Sequence, residues 1–201
     1  MARPKEFDQD KALHKAIHLF SQQGFATTSI DELMREMDVG RQSMYDTFGD
    51  KRALFLKALE TYVTESVNAI CDVLDKPGPA LSAVRDALAR FAERKDMSST
   101  EGCMGMNAIC EFGQRDREVN QIVLMAARMQ RERLLNVLNR AKSGGELSGD
   151  VDLESLADFF ESTLAGIRMA AKAGKSRQAL RNIAAIAGRV YGEADRVRDS
   201  T

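Results

Sequence analysis

An all-α protein of one or two domains is the fold class that three features of the sequence predict. Ala, Leu, Arg and Glu, all good helix formers, abound, beside only three Pro and no Trp. No stretch alternates β-branched and polar residues over the length of a strand. Apolar residues recur instead at the i, i+3, i+4, i+7 spacing in nine stretches, each bounded by a turn signal.

The first stretch, "KALHKAIHLFSQQGF", sets Leu13, Ala16, Ile17 and Phe20 on one helical face, and Gly24 supplies a residue able to end it with positive φ. "TTSIDELMREM" then opens with a capping box, Ser29 with Glu32, and buries Leu33 and Met37. After the turn "DVG" a short third helix, Arg41 to Phe48, needs only Met44 and Phe48 as anchors. Asp50 can cap a long fourth helix that starts at Lys51 and holds its period to about Asp75, where "KPGP" breaks it.

"ALSAVRDALARFAERK" predicts a fifth helix with Leu81, Val84, Leu88 and Phe91 inward. "CMGMNAICEF" predicts a short sixth, and Arg117 to Lys142 a long seventh. "SGGELSGD" is a loop. The eighth and ninth helices, about Leu153 to Ala173 and Ser176 to Arg196, flank a turn at "AGKS".

Composition narrows the function classes. No apolar run approaches the roughly 18 residues of a membrane span, and "MARPKEFDQDK" has no signal-peptide apolar core. Three cysteines fit a reducing compartment better than a disulfide framework. A cytoplasmic protein is therefore expected. The net charge of −1 does not announce a nucleic-acid binder. Nor do residues 1–52, with eight Lys/Arg against nine Asp/Glu, so DNA binding must rest on where the charges face.

The second and third helices, joined by a short turn, have the proportions of a helix-turn-helix, whose second helix enters the major groove. That accounts for "VGRQSMYDTFGDKRALF", where Arg41, Gln42, Ser43, Tyr45, Lys51 and Arg52 crowd a segment with few apolar residues. Here the sequence resembles the TetR (tetracycline repressor) family of bacterial regulators. The resemblance rests on "ALHKAIHLFSQQGF" and "TTSIDEL…VGRQSMYDTFGDKRALF", with Phe20, Gly24, Phe25, Thr28, Leu33, Val39, Tyr45, Phe48, Lys51 and Leu54 in the family's order. It departs at Asp38, where the family usually has Gly, at Gly40, where it has a Ser or Thr cap, and at Thr47, where His or Tyr is common.

The resemblance implies a homodimer that binds a double-stranded DNA operator and answers to a small-molecule effector. It implies a DNA-binding domain, residues 1–52, and an effector-binding and dimerisation domain, residues 53–201. Carried over by position, Thr28, Arg41, Gln42, Ser43, Tyr45, Thr47 and Lys51 would face DNA. Arg41 would read bases, because a guanidinium can bond guanine O6 and N7 together. Ser43, Tyr45 and Lys51 would hold phosphates, which fixes register without reading sequence. Arg3 and Lys5 suit a minor-groove arm.

In the last two helices, apolar residues cover more than one stripe, so one side can face the core and the other a second subunit. Phe159, Leu164, Ile167, Ile183, Ile186, Ala187 and Val190 are the candidate interface, on the helices where the family dimerises. Phe91, Cys103, Met104, Phe112, Met125 and Met129 are the candidate effector lining, in the region where the resemblance implies a pocket, since Met adapts to varied ligands. Such a stripe of Met and Phe is more often core than pocket. Cys103 follows Gly102 at a predicted helix start, a place that stabilises a thiolate. Cys110 lies two turns on, about 10 Å along the helix, too far for an easy disulfide.

His14 and His18 share a face at i, i+4, but no third histidine completes a zinc set. No metal and no cofactor is expected. The expected function is a ligand-responsive repressor, not an enzyme, that leaves a palindromic operator when it meets a small apolar or thiol-reactive effector. Two rivals stand beside it: a peroxidase-like thiol enzyme using Cys103, and a family member that binds ligand but no DNA.

Overall fold

Most of the helices start where a side-chain oxygen satisfies orphan backbone N–H groups. A computed structural model describes residues 7–94, 103–148 and 150–193, and among them are nine helices and no strand. In α1 (Gln9–Gln23) the Asp8 carboxylate accepts from Lys11 N–H, and the helix ends at Gly24, φ 84°. In α2 (Ile30–Met37) the capping box forms in full: Ser29 Oγ accepts from Glu32 N–H and Glu32 from Ser29 N–H. Asp38 follows in the left-handed conformation, φ 57° and ψ 46°, which a short polar side chain tolerates better than most.

Gly40 precedes α3 (Arg41–Phe48) without a side-chain cap. Asp50 accepts from Ala53 N–H at 2.8 Å and starts α4 (Lys51–Leu74). The N-terminus of α5 (Ala80–Glu93) is capped from far away, by both oxygens of Glu146 on Ala80 and Leu81 N–H at 2.7 and 3.0 Å. After α6 (Met104–Phe112), Asp116 caps α7 (Arg117–Ser143) through Val119 N–H. Asp152 caps α8 (Leu153–Lys172), and Ser176 caps α9 (Arg177–Glu193). The predicted extension of the ninth helix to Arg196, and the arm residues Arg3 and Lys5, lie outside the described residues.

The helices fall into two compact units. One draws on Met1–Thr64 and Glu101–Leu124, the other on Glu65–Thr100 and Met125–Thr201, so α4 and α7 contribute to both. In the first unit Leu33, Met37, Val39, Met44 and Phe48 seat α2 and α3 against α1 and the start of α4. Beside them Phe20, Phe25, Phe55 and Phe112 form an aromatic cluster with ring centroids 4.9 to 5.5 Å apart at four of its contacts. Such tilted and edge-on pairs add stability beyond their buried area.

In the second unit Leu88, Phe91, Leu134, Leu138, Phe160, Ile167 and Tyr191 are buried together. The Tyr191 hydroxyl donates to Leu156 O at 2.9 Å, and burial raises its pKa.

Candidate nucleic-acid interface

Burying Met44 and Phe48 on one side of α3 turns its polar residues outward. Arg41, Gln42, Tyr45 and Asp46 are exposed, and Ser43 and Thr47 are half-buried at the flanks. The exposed groups already hold one another. Arg41 Nη2 donates to Asp31 Oδ1 on α2 at 2.8 Å, and Gln42 Nε2 to Asp46 Oδ1 at 2.8 Å. The Arg41 and Asp31 side chains are 63% and 79% exposed, so their pairing contributes about 0–1 kcal/mol and is easily exchanged for a base edge.

Two of the predicted contact residues face protein in this conformation. Thr28 is 1% exposed, and its hydroxyl donates to Gly24 O at 2.6 Å. Lys51 lays its ammonium over the Phe25 ring, 4.4 Å from the centroid.

Arg52, next along, turns away from α3. Its guanidinium donates to both oxygens of Asp116, at 2.8 and 3.0 Å, and to Glu118 at 2.6 Å, fastening the first turn of α4 to the start of α7. The Arg52 hydrogen bonds hold the Asp116 carboxyl below its ordinary value, with the Val119 N–H adding to them.

Helix α6 fastens to the same unit from another direction. Asn107 Nδ2 donates to Ser21 O at 2.8 Å, and the Glu111 carboxylate accepts from Phe25 and Ala26 N–H, each at 2.9 Å. Asn107, Glu111 and Asp116 were not among the predicted site residues, and Arg52, expected with the DNA-facing cations, is held by Asp116 and Glu118 instead. Only the i, i+4 spacing of Asn107 and Glu111 hinted that α6 shows one polar face.

Comparison with known proteins matches this architecture to two family models. The one for bacterial regulatory proteins of the tetR family covers residues 12–58, and the one for the tetracyclin repressor-like C-terminal domain covers residues 77–187. The chain belongs to the TetR family. It is 32% identical over 174 residues to the helix-turn-helix transcriptional regulator YezE of Bacillus subtilis, covering 86% of this chain and 90% of that protein. With the transcriptional repressor ComR of Escherichia coli it shares 27% identity over 193 residues, 95% of this chain and 92% of ComR. Among solved structures it is similar to the TetR-family regulator CifR, a cysteine mutant complexed with a 26-base-pair operator duplex, at 29% identity and a TM-score of 0.75. That match covers 94% of this chain and 98% of CifR.

The other predicted residues of this TetR-family chain divide between the two units. Cys103 and Met104 are buried in the first, where Cys103 Sγ accepts from the Tyr62 hydroxyl at 3.3 Å, and Phe112 packs on Phe25 and Phe55. Phe91 is buried in the second, whereas Met125 and Met129 are exposed on α7. The six predicted lining residues therefore do not converge within either unit. The second unit has a groove of about 420 Å³ lined by Ala69, Ile70, Ala87, Arg90, Phe91, Glu93 and Arg94, which shares only Phe91 with that set.

On α8 and α9, Phe159, Ile183, Ile186 and Val190 are exposed, joined by Met169. Leu164, Ile167 and Ala187 are instead buried in the second unit's own core, because both helices also pack inward. Cys71 and Cys103 are buried and Cys110 is exposed, none of them in a disulfide. His14 Nδ1 lies 2.8 Å from Asp10 O, and His18 Nε2 lies 3.1 Å from Gln22 Nε2. No group of three metal-ligating side chains occurs among the described residues, and no described helix is long and apolar enough to cross a membrane.

Proposed function

We propose that this TetR-family regulator acts in the cytoplasm as a homodimeric repressor, reading a palindromic operator through α3 and leaving it when a small effector binds. The observation that carries the proposal is the two-sidedness of α3. Met44 and Phe48 anchor it, while Arg41, Gln42 and Tyr45 stand exposed behind a left-handed Asp38 turn. The operator complex of CifR and the repressor role of ComR support it.

In this account residues 1–52 bind DNA, with Arg41 on bases, Gln42 beside it, and Ser43, Tyr45, Thr47 and Lys51 toward the backbone. Thr28 shapes the turn that starts α2. Residues 53–201 take the effector and dimerise. Phe159, Met169, Ile183, Ile186 and Val190 offer the apolar face that a second copy would cover, bringing two α3 helices about 34–36 Å apart, one DNA turn. An effector need favour the released conformation by only about 1–3 kcal/mol to change affinity 5- to 150-fold. The thiol-enzyme alternative draws no support from the Tyr62 hydroxyl beside Cys103, since a hydroxyl donor is not a base for the thiol.

The test is titration of labelled DNA from upstream of the protein's own gene against a scrambled duplex, at two salt concentrations, with Arg41→Ala in parallel. Preference for the native duplex, lost in Arg41→Ala, is the expected result. Equal binding to both duplexes by the wild type would leave only phosphate attraction and end the proposal.

A further inference from the structure

Helix α6 reaches the turn between α1 and α2 with two polar side chains one helical turn apart. Asn107 Nδ2 donates to Ser21 O at 2.8 Å and lies 3.4 Å from Phe20 O, at the C-terminus of α1. Glu111 receives two consecutive backbone donors, Phe25 and Ala26 N–H, one on each carboxylate oxygen. Charge-assisted bonds of this kind are roughly twice as strong as neutral ones.

The turn is built around that carboxylate. A Cβ on Gly24 would stand 1.9 Å from Glu111 Oε1, and Gly24 also has φ +84°, so only glycine lets the side chain in. The segment Glu111 holds then leads to the proposed DNA-facing groups by two short routes. The Phe25 ring carries the Lys51 ammonium 4.4 Å from its centroid. Thr28 bonds Gly24 O, and the Ser29 capping box that starts α2 comes next. The Glu111 side chain itself is exposed, so its place on α6 is not explained by filling the core.

We propose that Glu111 is a positioning residue for operator binding: through the Phe25 and Ala26 amides it fixes the α1–α2 turn, and through the Phe25 ring it aims Lys51 at a DNA phosphate. This rests on the operator-binding role proposed above. Loss of both carboxylate bonds frees the Phe25 segment, and with it the ring that carries the Lys51 ammonium. The proposed base-reading residues on α3 bond neither Glu111 nor those two amides. Glu111 therefore sets how strongly every duplex is held and leaves sequence preference unchanged.

The experiment uses Glu111→Gln in the full-length protein, with Lys51→Ala and the double variant, each checked for a native melt. A carboxamide keeps the size but turns an N–H₂ toward one of the two amides. Hydrogen exchange at Phe25 and Ala26 is expected to accelerate about tenfold or more. Affinity for operator and scrambled duplexes should fall several-fold and equally. The slope of log affinity against log salt, read between about 50 and 200 mM, should flatten by about 0.9, the value for one phosphate contact. Lys51→Ala should flatten it by the same amount, and the double variant no further, because the two act through one contact.

Faster exchange with unchanged affinity and slope would overturn the proposal, leaving Glu111 a local turn brace only. Unchanged exchange would overturn it as well, since the clamp would then not hold the turn. Failure of the underlying operator role is distinguishable: it appears in the wild type, as binding to neither or to both duplexes alike, before any Glu111 variant is compared.

Discussion

Replacing Gly24 with Ala puts a methyl group where Glu111 Oε1 now lies, 1.9 Å from the ideal Cβ position. Two costs follow. The backbone at φ 84° and ψ −179° occupies a region nearly exclusive to glycine, which costs an L-residue about 1–3 kcal/mol. The carboxylate, at the end of a flexible side chain, moves aside cheaply, but doing so gives up its bonds to Phe25 and Ala26 N–H. Those bonds lie near solvent, which re-solvates the freed groups, so their loss adds about 2 kcal/mol.

The sum, about 3–5 kcal/mol, lowers the urea midpoint by about 1–2.5 M for a slope near 2–3 kcal/mol per M. Far-UV circular dichroism is the probe, because the chain has no Trp, and all samples share one protomer concentration because dimerisation links to stability. In a Glu111→Ala background the steric conflict is gone, and Gly24→Ala should cost only the conformational part, about 1–3 kcal/mol. A Gly24→Ala protein within 0.5 kcal/mol of wild type would refute the reasoning. So would an identical cost in both backgrounds.

Asp31→Asn should raise operator affinity by up to about fivefold, since Arg41 is released from an exposed pair worth at most about 1 kcal/mol and a negative charge near DNA is removed; unchanged or weaker binding in anisotropy titrations would contradict this. Ile186→Glu places a charge on a residue 63% exposed in the α8–α9 apolar face, so analytical ultracentrifugation should find monomers where the wild type is dimeric, and a retained dimer would refute that interface. Arg52 depresses the Asp116 pKa, so its stabilisation is complete above the ordinary value of 3.8 and is lost as pH falls through the lower folded value. The gap in melting temperature between wild type and Asp116→Asn should therefore be constant above that pH and close below it; a gap that widens in acid would contradict the sign.

What the sequence made legible was local. Leu13, Ala16, Ile17 and Phe20 lie within one turn or two of each other, so period alone places them inward. Ser29 with Glu32 and Asp50 with Ala53 are three residues apart, within reach of a capping rule. Asp38 stands where the family usually has Gly, and it takes the left-handed conformation that a glycine there would favour.

What escaped was set by partners distant in the chain. Arg52 looked like one more cation beside the reading helix, and only the approach of Asp116, 64 residues on, turns it to α7. Glu111 and Glu146 each cap a backbone turn about 65 to 86 residues away, which no local pattern encodes. Methionine and phenylalanine mark no site by themselves for a related reason: both suit a core, a pocket or a surface, and only folding sends Met104 inward and Met125 out. Leu164, Ile167 and Ala187 sit on the same helices as exposed Ile183 and Ile186, and a broad apolar band does not reveal which part faces the subunit's own core.

The central claim is that α3 reads base edges in a dimer, and selection of bound sequences from a random duplex pool tests it most directly. The wild type should enrich a palindrome with half-site centres about 10–10.5 base pairs apart or a multiple of that. Arg41→Ala should lose the preferred base at one position in each half-site, at a cost of about 1–3 kcal/mol in discrimination. A wild-type pool with no enriched motif, or a motif that Arg41→Ala enriches equally well, would contradict it.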